Sequence, residues 1–523
     1  MAATSVSRLG FTWVFSEDRP VGQFANGDWW VVGPVTITQI TPSDPTPNDA
    51  EDTHGTMINP PLGLVNGWDS RIKYASAPTG YNPSLNIAKR LPYTVKPGSS
   101  VCSVKSFEAR ATIDNPQLEE LAVLTVLASA PPSGSFRPPL MGTDKTVKWN
   151  ESQLNYGVLK SLPPVVGTPP LATVTGYFER PWVEKEDGWL GRYFHPWNNH
   201  PFQNRGTVGT YGREMAHTAA DGLLSLQLNY TNSQKRLLLV RMVQAGIDIY
   251  GTARLGGYWG DGGGHNQGRK MVLLLAGLVL NDAEMLAYAN AGKYKIFQED
   301  HQTFYVTQAD VNRTLEPVNG RPVEPYLTSD IGMPEWAINY KDQPNRSNKR
   351  WDAPYRNVAG PCTVGHVLTA RIMKVESLWN HQVTFDYYDR FYQIDKSKSS
   401  YATNAIQPFV LNMWEAYRGG GGGGGTGGVD PPSLFAIGSR IEVFRRTNVR
   451  ATGSLSGTLL GAQEIGSAGT IIAGPVTADN IIWWQVNYDT GVDGWSGVDN
   501  FLISSKPAPT PPSAPTGLRV VAQ

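Results

Sequence analysis

The 523-residue sequence predicts a multidomain α+β protein with strands at both ends and helices in the middle. Residues 1–170 carry short β-branched runs that are broken by Pro and Gly, a pattern typical of strands and turns. Residues 171–418 repeat apolar side chains at spacings of three and four, which is the period of helices that bury one face. A run of glycines begins at residue 419 and separates a second strand-rich stretch.

Residues 1–170 are predicted to form a β-sandwich. The runs 29–40 and 121–127 alternate β-branched and polar residues, and Asn-Gly pairs between such runs favour tight turns. The many short strands with turn residues between them fit two packed sheets better than a single open sheet.

Residues 171–418 are predicted to form a helical domain. The helical period covers residues 213–230, 234–250, 267–280, 283–291, 363–379, 383–392 and 405–418. Short connections favour antiparallel helix pairs. If such pairs repeat around a ring, alternate helices begin on one rim, and the polar loops 191–211, 257–268 and 333–361 precede such helices. We therefore expect these three loops to meet.

The loop 257–270 is the most informative segment of the chain. Its glycines permit positive φ and close approach of the backbone, and it leads directly into the apolar stretch 271–280. The free N–H groups at a helix start favour an anionic partner. The spacing fits neither of the two glycine-rich nucleotide-binding patterns, so a phosphate cradle is not expected. The alternative is a tight connector whose histidine and arginine cap neighbouring elements.

Residues 419–432 are predicted to be a flexible linker, followed by a small β domain at 433–505. This domain resembles bacterial SH3-like β-barrels through Thr447-Asn-Val-Arg450, Trp484-Gln-Val486 and Gly494-Trp495. The resemblance implies contact with a cell wall or another polymer surface. Residues 506–523 form a Pro-rich linker whose end resembles the first strand of a truncated fibronectin type III domain.

Composition excludes several classes of partner. Lys plus Arg equals Asp plus Glu at 45 each, which argues against nucleic-acid binding through a broad positive field. The longest apolar run, 271–280, is about half the length of a membrane span, so no membrane insertion is expected. The two cysteines exclude a disulfide framework, and no cofactor or metal motif is present.

The polar loops supply residues for proton transfer and charge neutralisation. In β-elimination from a uronate polymer, a base removes the proton beside the carboxylate while cations or amides neutralise the acid. The candidate catalytic residues are Asn199, His200, Tyr211, Arg213, His265 and Arg269. The candidate substrate-binding residues are His195, Trp197, Trp259, Asp261, Lys270, Glu335, Trp336, Tyr355 and Arg356.

The residues also allow two functions other than β-elimination. A glycoside hydrolase needs a pair of carboxylates, which Asp261, Glu214, Glu299, Asp300 or Glu335 could provide. A polysaccharide- or surface-binding protein needs no catalytic residues, and in that case the C-terminal β domain is the functional part.

The helical part resembles secreted bacterial polysaccharide lyases that act on alginate and related uronate polymers. The matching segments are Gly191-Arg-Tyr-Phe-His-Pro196, Asp261-Gly-Gly-Gly-His265, Leu378-Trp-Asn-His381 and Phe385-Asp-Tyr-Tyr-Asp-Arg390, together with residues 409–417. The resemblance implies an (α/α) toroid over 171–418, an extracellular location and a polysaccharide substrate. The Asn, His, Tyr and Arg of such lyases are matched by Asn199, His200 or His265, Tyr211, and Arg213 or Arg269.

Overall fold

The computed structural model confirms a mixed α+β protein. It describes residues 1–63, 65–72, 80–107, 118–185, 194, 212–260, 263–313, 325–337, 356–395, 406–419, 437–443, 446–479, 481–497 and 501–503. The chain divides into two compact units, Met1–Gly422 and Gly423–Gln523. Of the helices in the described part, none is long and apolar enough to cross a membrane.

Eight strands at the start of the first unit form one curled sheet, in the order β5-β7-β8-β3-β2-β4-β6 with β1 paired to β2. They are β1 (Ala2–Arg8), β2 (Phe11–Gln23), β3 (Trp29–Val32), β4 (Val35–Thr41), β5 (Thr56–Ile58), β6 (Tyr93–Val95), β7 (Ser99–Ser106) and β8 (Leu118–Leu127). The parallel pairing of β3 with β8 joins the two halves. This arrangement is compatible with the predicted sandwich, although the strands share one hydrogen-bonded sheet.

The strands β7 and β8 lie between two cores because successive side chains of a strand point to opposite faces. Val101 and Leu124 pack with Trp13 of β2 in the core of the curled sheet. Cys102 and Val123 point the other way and join the larger core formed with the helices. Both faces of these strands are therefore apolar, and the helices are packed directly onto the sheet.

Eleven α-helices are present in the described residues of the first unit. They are α1 (Leu171–Gly176), α2 (Gly212–Ser225), α3 (Asn232–Arg254), α4 (Lys270–Leu280), α5 (Ala283–Tyr288), α6 (Gln298–Gln302), α7 (Gln308–Val311), α8 (Arg356–Met373), α9 (Glu376–Trp379), α10 (Gln382–Asp395) and α11 (Pro408–Tyr417). A two-stranded sheet pairs β9 (Thr303–Tyr305) with β10 (Pro334–Trp336). The helix predicted over 363–379 is two helices, since Lys374 between them has a φ of 61°.

The ends of the helices follow from local sequence. Helix α3 begins with a capping box in which the Thr231 and Gln234 side chains bond each other's backbone N–H. Helix α4 is apolar on every side and ends at Asn281, which is left-handed with a φ of 52°. Asp282 then caps α5 by accepting from the amides of Glu284 and Met285. This tight link fixes α5 directly after α4.

A buried ion-pair network ties the sheet to the helices. The fully buried Arg137 donates from Nε to Asp28 at 2.7 Å and from both terminal nitrogens to Asp248 of α3, at 2.9 and 2.5 Å. Its backbone also exchanges two hydrogen bonds of 3.0 Å with the Gln244 side chain. Asp28 precedes β3, so one guanidinium joins the sheet to α3.

The second unit is a small β unit of seven strands, in the order β13-β12-β16-β15-β14-β11-β17. They are β11 (Arg440–Val443), β12 (Thr447–Arg450), β13 (Leu459–Gln463), β14 (Ala468–Ala478), β15 (Ile481–Tyr488), β16 (Gly494–Gly497) and β17 (Phe501–Ile503). Its core includes Ile441, Val449, Ile471 and Trp484. The predicted linker beyond residue 419 and the Pro-rich segment 506–523 lie outside the described residues.

Truncation after Gly422 is expected to leave the thermal unfolding of the first unit unchanged, because each unit has a core of its own. Calorimetry of the full chain and of the truncated chain measures this directly. A clear fall in the unfolding temperature of the first unit on truncation contradicts the division.

Replacing Arg137 by Met is expected to destabilise the first unit by about 3–5 kcal/mol, because Asp28 and Asp248 then stay buried without their cation. The measurement is urea unfolding of the chain truncated after Gly422. Arg254→Met is the matched control, since the half-exposed Arg254 pairs with the exposed Asp144 and is expected to change stability by less than about 1 kcal/mol. Equal unfolding midpoints for the two variants rule out a stabilising role for the network.

Candidate functional site

The glycine-rich loop is held by three consecutive residues at the start of α6. Gln298 Oε1 accepts from the Asn266 amide at 2.9 Å, and Glu299 Oε1 accepts from the Gly268 amide at 2.8 Å. Asp300 Oδ2 accepts from Lys270 Nζ at 2.6 Å. We call Gln298, Glu299 and Asp300 the loop clamp. It binds every second residue from 266 to 270 and so fixes the path of the chain into α4.

The loop also packs closely against α2. A Cβ added at Gly212 would lie 1.8 Å from the carbonyl oxygen of His265, so no other residue fits there without moving the backbone. Gly268 has a φ of 90°, and a Cβ there would lie 2.7 Å from Cα of Ala216. The start of α2 and the loop that carries His265 are thus in backbone contact.

Lys270 has a structural role in this arrangement. Its ammonium group is fully buried, contacts both oxygens of Asp300, and lies 4.7 Å from the centre of the Trp379 ring. Burial lowers the pKa of Lys270, while Asp300 acts in the opposite direction. Trp379 Nε1 donates to the same carboxylate at 2.9 Å. Lys270 is predicted to contact a substrate, but in the structure its ammonium group is paired with Asp300 of the loop clamp.

Arg269 and Trp259 are also interior residues. Arg269 is 1% exposed and donates to Glu184 at 2.8 Å and to the Gln267 carbonyl at 2.6 Å. The Trp259 ring is fully buried and stacks on Phe297 at 5.1 Å between ring centres. Neither the guanidinium nor the indole faces solvent, and both have partners inside the protein.

The predicted contacts from β10 and α8 are buried as well. Glu335 and Arg356 are fully buried and form an ion pair of 3.2 Å, and Arg390 lies 3.9 Å from the same carboxylate. Trp336 is 1% exposed. These three predicted substrate-binding residues therefore lie in the protein interior, where the carboxylate joins β10 to α8.

His265 and Arg213 are only partly buried. Among the described residues 263–270, His265 alone is not buried. Arg213 follows Gly212 on the first turn of α2; its side chain is 15% exposed and donates to Glu214 at 2.7 Å. Since Gly212 contacts the backbone of His265, the backbones of these two predicted catalytic residues lie close together.

Seven predicted site residues cannot be placed. His195, Trp197, Asn199, His200, Tyr211, Asp261 and Tyr355 lie outside the described residues. Four of the carboxylates considered for hydrolysis can be placed, and all are buried: Glu214 with Arg213, Asp300 with Lys270, Glu335 with Arg356, and Glu299 with the Gly268 amide. In the described part of the chain, no group of three metal-binding side chains comes together.

Two buried polar groups, Glu299 and His366, lie beneath the loop. Glu299 is 2% exposed, and burial raises the pKa of its carboxyl. His366 of α8 is fully buried and donates from Nε2 to the Ala216 carbonyl at 2.8 Å. Burial lowers the pKa of His366 to about 4. The contact between His366 and the Ala216 carbonyl of α2 has no signal in the sequence, because the two residues lie 150 positions apart.

Comparisons of the chain with known protein families, with curated proteins and with solved structures found no match. Its function is therefore argued from the geometry and chemistry of the site.

Acidification is expected to destabilise the first unit through His366. The folded-state pKa of about 4 lies below the ordinary value of 6.5, so the unfolded chain binds the proton first as the pH falls. The free energy of unfolding is expected to drop by about 3 kcal/mol between pH 6.5 and pH 4 from this residue. His366→Gln is expected to flatten this part of the pH dependence, measured by urea unfolding. His301→Gln, on the surface, is the control, and an equal slope for both variants contradicts the assignment.

Proposed function

We propose that the chain is a secreted, extracellular enzyme that cleaves a uronic-acid-containing polysaccharide by β-elimination. In this proposal residues 171–418 are an (α/α)-toroid lyase domain and residues 1–170 are its β-sandwich. Residues 433–505 are an SH3-like module that contacts a cell wall or another polymer surface.

The close approach of the His265 backbone to the first turn of α2, which carries Arg213, is the observation that carries the proposal. β-Elimination needs a base near the carbon beside the carboxylate and a positive charge near the carboxylate oxygens. His265 supplies the base and Arg213 the charge. Arg213 lies on the first turn of the fourteen-residue helix α2, whose N-terminal amides also favour an anion. In this scheme Asn199, His200 and Tyr211 complete the site.

The state of the carboxylates favours a lyase over a hydrolase. Hydrolysis requires one carboxylic acid and one carboxylate on either side of the scissile bond. Glu214, Asp300 and Glu335 each lie buried beside a cation, and Glu299 is buried under the loop. None of these four is placed to flank an entering sugar chain. A non-catalytic polymer-binding protein is the remaining alternative.

The first test is a screen of the full chain against acidic and neutral polysaccharides. Ultraviolet absorbance measures the unsaturated uronate product, and a separate assay measures new reducing ends. A lyase gives both signals on an acidic polymer. Reducing ends without absorbance indicate a hydrolase, and polymer binding without either signal indicates a binding protein.

On the polymer that the screen identifies, His265→Ala is expected to lower the turnover rate by on the order of a hundredfold, because the base is lost. Arg213→Ala is expected to weaken transition-state stabilisation by about 2–4 kcal/mol. Tyr211→Phe tests the role of the tyrosine hydroxyl. Initial rates are measured beside a thermal melt of each variant.

The matched control for the charge change is Arg236→Ala at the far end of α3, where the half-exposed Arg236 pairs with Glu151. Near-normal turnover rates for both His265→Ala and Arg213→Ala would contradict the assignment of the site. A hydrolase is distinguished by loss of activity on changing a carboxylate while Tyr211→Phe stays active.

A further inference from the structure

A rigid turn over residues 289–297 lies beside the glycine-rich loop. The Asn290 carbonyl accepts from the amides of Lys293 and Tyr294 at 3.0 and 2.9 Å, and the Asn290 side chain accepts from Gly292 N–H at 2.9 Å. The amide of Ala291 donates to the Trp379 carbonyl at 3.0 Å, and Trp259 N–H donates to the Ile296 carbonyl at 2.8 Å. These bonds fix the turn to the helices on one side and to the loop on the other.

Tyr294 projects from this turn as a preformed aromatic surface. Its side chain is 43% exposed, although its ring stacks on Tyr288 at 4.4 Å with an angle of 19° between the planes. Tyr288 in turn packs edge-on against the buried Tyr250 at 5.8 Å. One face of the Tyr294 ring is therefore backed by a column of aromatic rings while much of the ring is in water.

A second exposed ring adjoins the same turn. Tyr258 is 46% exposed and lies edge-on to the His301 ring at 5.0 Å between centres. His301 Nε2 donates to the Lys295 carbonyl at 2.6 Å, which connects Tyr258 to the residue after Tyr294. Tyr258, which lies in the glycine-rich loop, is thus linked through His301 to the turn that carries Tyr294.

The charge on this surface is positive. Lys293 and Lys295 flank Tyr294 in the chain, both are exposed, and neither forms an ion pair among the described residues. Asp282 and Glu284, on the neighbouring helix, have cations of their own: Lys148 lies 2.8 Å from Asp282, and Arg254 lies 3.7 Å from Glu284. The two lysines are therefore left to attract an anion from solution.

We propose that Tyr258, Tyr294, Lys293 and Lys295 form a binding surface for an acidic polysaccharide, separate from the catalytic residues. The proposed function supplies the choice of acidic sugar as substrate class, and this inference rests on it. A tyrosine ring is flat and apolar with a polar tip, which suits the C–H face of a sugar ring. The lysines pair with the carboxylates of the same chain. The tyrosine–lysine surface then holds a polymer beside the loop and raises its local concentration there.

A single-stranded nucleic acid also combines negative charge with rings that stack on tyrosine. The formal net charge of zero and the presence of two lysines in the tyrosine–lysine surface favour a sparsely charged sugar chain over a polyphosphate backbone. Nucleic acid and polyphosphate are therefore included as competing ligands in the test.

The test is a binding measurement on the full chain carrying His265→Ala, so that cleavage does not consume the polymer. Polygalacturonate and alginate are the acidic probes, dextran is the neutral probe, and polyphosphate and oligothymidylate are the non-sugar anions. We expect the acidic polysaccharides to bind most tightly. Tyr294→Ala is expected to raise their Kd by about tenfold, the size of a lost stacking contact. Lys293→Gln with Lys295→Gln is expected to remove most of the salt dependence of binding.

Tyr305→Ala is the matched control for the aromatic change, because Tyr305 is 39% exposed on another part of the surface. Lys96→Gln is the control for the charge change. Unchanged Kd in Tyr294→Ala, or an equal rise in Tyr305→Ala, overturns the proposal. Equally tight binding of polyphosphate or oligothymidylate overturns it too.

The outcome is separable from that of the proposed function. Binding of acidic polysaccharide that depends on Tyr294, with no unsaturated product from the wild-type chain, rejects the lyase and supports the binding surface. If unsaturated product forms and Tyr294→Ala does not change polymer binding, the lyase is supported and the proposed binding surface is rejected.

Discussion

The buried guanidinium of Arg137 is the constraint on which the first unit depends. A charge in the interior is tolerated only when partners replace the water it has lost, and Arg137 finds these partners on two different layers. Asp28 belongs to the turn before β3, and Asp248 belongs to α3. Because α4 packs against α3 and starts where the glycine-rich loop ends, this link also fixes the position of the loop relative to the sheet.

The loop shows how a chain can be rich in functional residue types and still use most of them for structure. Asn266, Gly268 and Lys270 are bound by the loop clamp, and Arg269 is bound by Glu184. The burial of a lysine or an arginine beside a carboxylate costs solvation energy, and the same pairing gives the loop a single conformation. A loop held in this way positions the backbone of His265 with little freedom, which the proposed proton transfer requires.

Charge is distributed unevenly around this site, although the whole chain is neutral. In the interior, buried cations lie beside carboxylates, as in Lys270 with Asp300 and Arg356 with Glu335. On the surface next to the loop, Lys293 and Lys295 have no such match in the described part of the chain. The proposed attraction of an acidic polymer depends on this local arrangement of charge, which a net charge from composition does not reveal.

The sequence by itself determined the α+β class, most helix positions and the separate C-terminal β unit. These properties depend on local periodicity, on the Thr231 capping box and on the glycine run after residue 418, all of which are visible in the chain order. Only the tertiary structure decided which polar residues serve the site. The sequence treats Arg213 and Arg269 alike, yet Glu184 lies 85 positions from Arg269 and buries it. Tertiary packing brings together partners that are so far apart in the sequence, and a local sequence pattern cannot predict such pairs.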